Sequence, residues 1–209
     1  LRFSVLKSIF WSNDKFKFDT PIDIYIPLQL HPECNSEYWS RKSNYKDYED
    51  VILEFCKKYA DKYSIFVKEH PNMVGFRDSR FYKHLAQLGV RIVNLEDSNK
   101  SLIQHSKVVI TFNSSVGIEG LIFGADIFCI DKPYYLTPGH IQTESDLKKI
   151  LDSKATINAN KKINDHHLNE SIEKTLSMSL CGAFPDTAKP KDLKHEEYLI
   201  QTASQFTDQ

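Results

Sequence analysis

Apolar residues along this chain follow two rhythms. Short continuous runs occur at Ile22-Asp23-Ile24-Tyr25-Ile26-Pro27-Leu28, Ser64 to Glu69, Val90 to Val93, Val108-Val109-Ile110-Thr111-Phe112 and Asp126 to Ile130. Their length and β-branched content predict strands buried on both faces. Between them, apolar positions recur every three or four residues. Val51, Ile52, Phe55, Cys56 and Tyr59 predict a helix over 48–63. Ser79 to Leu88 predicts another, closed by Gly89. A short helix is expected from Lys100 to His105, and one that opens at Asn113-Ser114-Ser115 and runs to Phe123 before Gly124. Further helical patterns cover 145–151, 164–180 and, more weakly, 196–205.

Strands alternating with helices of this length predict βαβ units. The expected fold is therefore α/β, a Rossmann-like doubly wound parallel sheet of about five strands, over residues 21–184. Residues 1–20 mix aromatics with charges and read as a connecting segment; 185–209 read as a polar tail with a possible helix. The start, Leu1-Arg2-Phe3-Ser4, lacks an initiator Met and reads as the interior of a longer protein.

Composition removes several classes of function. Hydrophobic residues are 41% and charged residues 26% of the 209, which excludes a disordered or fibrous chain. Lys plus Arg number 27 against 28 Asp plus Glu, a net charge of -1, so the footprint of a duplex nucleic-acid binder is absent. No run approaches the ~20 apolar residues of a membrane-spanning helix, and a cytoplasmic location is expected, with peripheral contact at the inner face of a bacterial membrane as a further option. The four cysteines, Cys34, Cys56, Cys129 and Cys181, are far apart with no CxxC pair. Reduced thiols and no metal site are expected.

In open parallel sheets, ligands bind beyond the carboxyl ends of the strands, and four polar segments fall there. The first is Asn113-Ser114-Ser115-Val116-Gly117-Ile118-Glu119-Gly120. A strand here delivers two hydroxyls and a helix's first-turn N–H groups, all donors suited to phosphate. Ser115 and Glu119 are four apart on one helix face, so a carboxylate can meet ribose hydroxyls while Ser115 meets the phosphate. A capping serine and a solvated glutamate explain the same residues. The second is Val67-Lys68-Glu69-His70-Pro71, with an imidazole at a strand end able to bond a phosphate oxygen or pass a proton, and with Lys68 and Arg77 to add charge. The alternative is a turn histidine serving only the local backbone. The third, Pro27 to Glu33, brings Gln29, His31 and Glu33 to the rim. The fourth, Asp131 to Tyr135, offers Tyr134 for stacking on a base or sugar, or simply for packing on the sheet edge.

Taken as an ordered set, Pro27-Leu28-Gln29 with His31-Pro32-Glu33, Lys68-Glu69-His70-Pro71 with Gly75-Phe76-Arg77 and Phe81-Tyr82, and Ser114-Ser115-Val116-Gly117-Ile118-Glu119-Gly120 through Gly124 resemble the capsule polysaccharide biosynthesis family. That family includes Kdo transferases of the KpsC and KpsS type. The His-Pro and Ser-Ser pairs are also similar to those of bacterial sialyltransferases that use CMP-sugars. The resemblance covers about residues 22 to 135. It implies the C-terminal, donor-binding half of a GT-B glycosyltransferase, with His70 and Ser114-Ser115 on the phosphate, Glu119 on the ribose, and His70 as the catalytic group. No cofactor is implied beyond the substrate, a CMP- or UDP-linked sugar. The implied partners are that nucleotide sugar, a glycan or lipid-linked acceptor, and an N-terminal domain of the parent protein, with no nucleic acid. Two departures stand out: members often carry a Thr-Gly-Thr-like run where this chain has Asn113-Ser114-Ser115, and Ala125-Asp126 replaces a Lys-Pro pair. A sugar-nucleotide epimerase, a glycerophosphotransferase-like domain or a non-catalytic module of a polysaccharide assembly complex fits the same pattern.

Overall fold

A computed structural model describes residues 15–17, 22–31, 48–112, 114–131, 140–141 and 143–153. In chain order these form β1 (Ile22–Pro27), α1 (Tyr48–Tyr59), β2 (Ile65–Lys68), a 3-10 turn (Pro71–Met73), α2 (Ser79–Gln87), β3 (Arg91–Ile92), α3 (Asn99–Gln104), β4 (Ser106–Thr111), α4 (Val116–Ile122), β5 (Asp126–Cys129), β6 (His140–Ile141) and α5 (Glu144–Asp152). The expected helices at 164–180 and 196–205 lie outside the described residues, as do Glu33, Asn113 and Tyr134.

All the strands pair in parallel, in the order β3-β2-β1-β4-β5-β6. The chain steps outward from β1 to β2 and β3, then returns to the other side of β1 for β4. That reversal leaves a crevice at the carboxyl ends of β1 and β4, where such sheets hold ligands. Helices cover both faces, as the fold class requires. One core packs α1, α2 and α5 on Ile24, Ile26, Ile65, Val67, Val108 and Ile110. The other packs α3 and α4 on Ile22, Tyr25, Phe66, Val109 and Ile127, with Phe16 set edge-on against Phe66 at 4.9 Å.

Local chemistry fixes the helix starts. Asp78, Ser98 and Thr143 each accept a backbone N–H in the first turn of α2, α3 and α5. The close approach of α4 to the sheet depends on Gly120, where a Cβ would stand 2.2 Å from Ile127 Cδ1. Gly89 ends α2 at φ +75°, a conformation that L side chains rarely adopt.

Two expectations are corrected. A sixth strand, β6, joins the sheet beside β5, its two residues too short to register as an apolar run. The helix expected from Asn113 begins instead at Val116, because the Ser114 hydroxyl accepts the Val116 N–H and ends the strand-to-helix link there.

Candidate functional site

The link from β1 leads straight into the crevice, and its backbone is held from beneath. Gln29 donates its N–H to the Tyr48 hydroxyl at 2.9 Å, and its carbonyl accepts from Arg77 Nη2 at 2.8 Å. At the end of β2, Glu69 is 1% exposed and gathers four donors. Arg77 Nε and Nη2 reach its two oxygens at 2.7 and 3.2 Å. The Tyr82 hydroxyl donates at 2.5 Å and the His70 N–H at 2.6 Å. Arg77 also meets Glu49 at 3.3 Å and lies between the rings of Tyr48 and Phe81, each 5.4 Å away. Burial works against the Arg77 charge, but the hydrogen bonds and charge of Glu69 more than restore it, and its pKa is raised. Burial likewise pushes the Tyr48 and Tyr82 hydroxyls above the usual tyrosine range, so both stay protonated.

His70 caps the turn that follows. Its Nδ1 accepts the Asn72 N–H at 3.2 Å, which puts the ring hydrogen on Nε2. The imidazole thus has both the local capping role and a donor to spare. Its ring lines a cavity of about 280 Å³ together with Lys68, Glu69, Gln29, Ser114, Ser115 and Glu119. The volume lies near the lower end for small-molecule pockets, roughly 300 Å³. The imidazole from β2 and the serines after β4 thus share one concave site, on either side of β1.

On the α4 side, the first-turn donors are consumed locally. Val116 N–H goes to the Ser114 hydroxyl, and the N–H groups of Gly117 and Ile118 go to the carbonyls of Ser114 and Ser115. What α4 offers a ligand is therefore the Ser115 side chain, which is exposed and makes no capping bond, and not the row of open amides expected from the sequence. Glu119, one turn along, is exposed and faces the same cavity.

Several expected site residues take other places. Arg77, expected to add charge at the ligand, has its guanidinium wholly buried and committed to Glu69, Glu49 and Gln29. It braces the site from below because its partners lie 8, 28 and 48 residues away, beyond any local pattern. His31 stacks on Tyr48 at 5.7 Å and is not part of the cavity lining. Glu33, Asn113 and Tyr134 fall outside the described residues.

The sequence reading missed two lining residues, Tyr25 and Asn99. Tyr25 looks like an ordinary strand residue and Asn99 like a helix start. Their hydroxyl–amide bond of 3.0 Å joins elements 74 residues apart. Burial, reinforced by the charges of Glu119 and Asp97, drives the Tyr25 pKa far up and keeps its hydroxyl a donor. A polar residue at the ligand-side end of a core strand was the available signal.

A family model described as "Capsule polysaccharide biosynthesis protein" matches residues 13–176. The chain is 32% identical over 101 residues to the capsule polysaccharide export protein KpsS of Escherichia coli, covering 46% of this chain and 26% of that protein. It is 28% identical over 95 residues to the capsule polysaccharide modification protein LipB of Neisseria meningitidis, covering 43% of this chain and 23% of that protein. This chain thus matches about a quarter of the length of each of these curated relatives. Among solved structures, a β-Kdo 2,7 transferase, KpsC of Thermosulfurimonas dismutans, aligns with 17% identity and a TM-score of 0.45, covering 77% of this chain and 55% of that one.

Proposed function

Because the chain belongs to the capsule polysaccharide biosynthesis protein family, we propose that its cavity binds a nucleotide sugar, and that it is the donor-binding part of a GT-B glycosyltransferase for capsule or related surface polysaccharide. One observation carries the reading: His70 and the Ser114-Ser115 pair, from strands on opposite sides of β1, line the same cavity. Donors converging from two walls suit a phosphate, whose oxygens accept from several directions at once.

In this reading His70 Nε2–H and the Ser115 hydroxyl meet the phosphate next to the sugar, and Glu119 accepts from the ribose hydroxyls. Transfer breaks the bond between the anomeric carbon and the phosphate oxygen, and the electron pair leaves with the phosphate. A hydroxyl oxygen of the acceptor, a glycan or lipid-linked glycan, forms the new bond to that carbon. Its proton passes to a base on a further domain of the parent protein. His70 and Ser115 stabilise the charge that develops on the leaving phosphate, the step where preformed donors contribute most.

Calorimetric titration with CMP, CDP and UDP tests the reading. Saturable binding of at least one of them at millimolar concentration or below is expected. Absence of binding by all three would overturn it.

A further inference from the structure

Among the described residues two cations are buried at this crevice, Arg77 beneath it and Lys68 in its wall, and they are treated differently. Arg77 is neutralised by Glu69 and Glu49. Lys68, the last residue of β2, is 9% exposed, and its Nζ donates to the backbone carbonyl of Asp97 at 2.5 Å. Among the described residues no carboxylate lies within ion-pair distance of it. The carboxylate of Asp97 is already engaged, accepting the N–H of Phe16 at 3.0 Å and of Asn94 at 3.1 Å.

A buried ammonium with one neutral acceptor is costly to the fold, which normally pairs such a charge or excludes it. Burial indeed lowers the Lys68 pKa, against the opposing pull of the Asp97 charge. Register sets its side chain on the sheet face of Tyr25 and Phe66, since Pro27 pairs with Lys68 and Tyr25 with Phe66. Lys68 lines the cavity together with Asn99, whose side-chain oxygen accepts from the Tyr25 hydroxyl.

We infer that the Lys68 ammonium is the counter-charge for an anionic group on the cavity's ligand, either the phosphate of a nucleotide or the carboxylate of an acidic sugar. The inference rests on the nucleotide-sugar reading of the cavity. An ammonium has three donors, and the Asp97 carbonyl takes one. The other two are available to the anion. Glu119 faces the same cavity as a carboxylate, so the anion seats toward Lys68 and His70 and the ligand's hydroxyls toward Glu119. The site then binds uncharged ligands more weakly than anionic ones, since Lys68 would stay unpaired with them.

Binding of cytidine, CMP, uridine, UMP and a free sugar acid, measured by calorimetry on the wild type, Lys68→Gln and Lys68→Arg, tests this. Glutamine keeps a donor for the Asp97 carbonyl without the charge, and Lys68→Met takes its place if that variant does not fold. The anionic ligand is expected to bind about tenfold or more weakly to Lys68→Gln, with binding largely kept in Lys68→Arg, while weak nucleoside binding is unchanged. A loss for the nucleotide assigns Lys68 to phosphate; a loss for the sugar acid assigns it to carboxylate. Equal losses for nucleoside and nucleotide would reduce Lys68 to a structural role and overturn the inference, as would unchanged affinity in Lys68→Gln. If no ligand binds the wild type, the nucleotide-sugar reading fails and this inference falls with it.

Discussion

Arg77 grips both oxygens of Glu69, Nε at 2.7 Å and Nη2 at 3.2 Å, with neither side chain exposed. The pair also holds the Gln29 carbonyl and the His70 N–H, so two ligand-side loops are tied to one buried contact. Replacing Glu69 by Gln leaves a guanidinium sealed inside the fold without its main carboxylate. A loss of about 3–5 kcal/mol is expected, read as a lower urea midpoint with an unchanged slope. A loss well under 1 kcal/mol would mean that water reaches Arg77.

His70 has separable structural and functional roles. His70→Ala removes the acceptor for the Asn72 N–H, a loss of about 1 kcal/mol for a partly solvated bond. His70→Asn restores a side-chain oxygen for that N–H but no ring donor. Both variants are expected to bind nucleotide about tenfold more weakly, and only His70→Ala to melt lower. Unchanged affinity in both would remove His70 from the site.

The two serines are expected to behave in opposite ways. Ser114 accepts the Val116 N–H at 3.3 Å, so Ser114→Ala lowers stability by about 1 kcal/mol. Ser115 makes no such bond, and Ser115→Ala leaves the melting temperature unchanged while weakening nucleotide binding. Thermal melts beside calorimetry on both variants check this; the reverse assignment would put the phosphate on Ser114.

Acid stability depends in part on Asp23, at the start of β1. Burial alone would raise its pKa, but hydrogen bonds from Lys107 and Ser64 outweigh that and hold it below the ordinary carboxylate value. With the folded value depressed, the unfolded chain binds more protons on acidification. The Asp23 contribution is therefore present above the ordinary carboxylate value of 3.8 and lost as the pH falls from there through the lower folded value. Asp23→Asn is expected to be less stable than wild type at pH 7 and to converge on it in acid. Parallel curves in chemical denaturation across this range would contradict the assignment.

Much of this architecture is written locally. The apolar runs at 22–28, 64–69, 108–112 and 126–130 coincide with strands, and the positions of Lys68, His70, Ser114 and Ser115 near strand ends, with Glu119 one turn into α4, follow from chain order. What was not legible depends on partners distant in sequence. Arg77 sits in a loop beside Phe76, which is 83% exposed, and nothing local says that the guanidinium turns inward to residues 29, 49 and 69. Asn99 lines the cavity only because α3 packs beneath β1, a contact that the helix pattern does not encode.

The cavity's two walls are anchored to very different degrees. The β2 side hangs on the sealed Arg77–Glu69 knot, where almost any change also costs folding. The α4 side presents Ser115 and Glu119 on a solvent-facing helix surface, with no buried ion pair of its own among the described residues. Mutational drift is thus cheap on one bank and penalised on the other. A lineage acquiring a new ligand would rewrite residues around 115–119 first, leaving the knot as its fixed point.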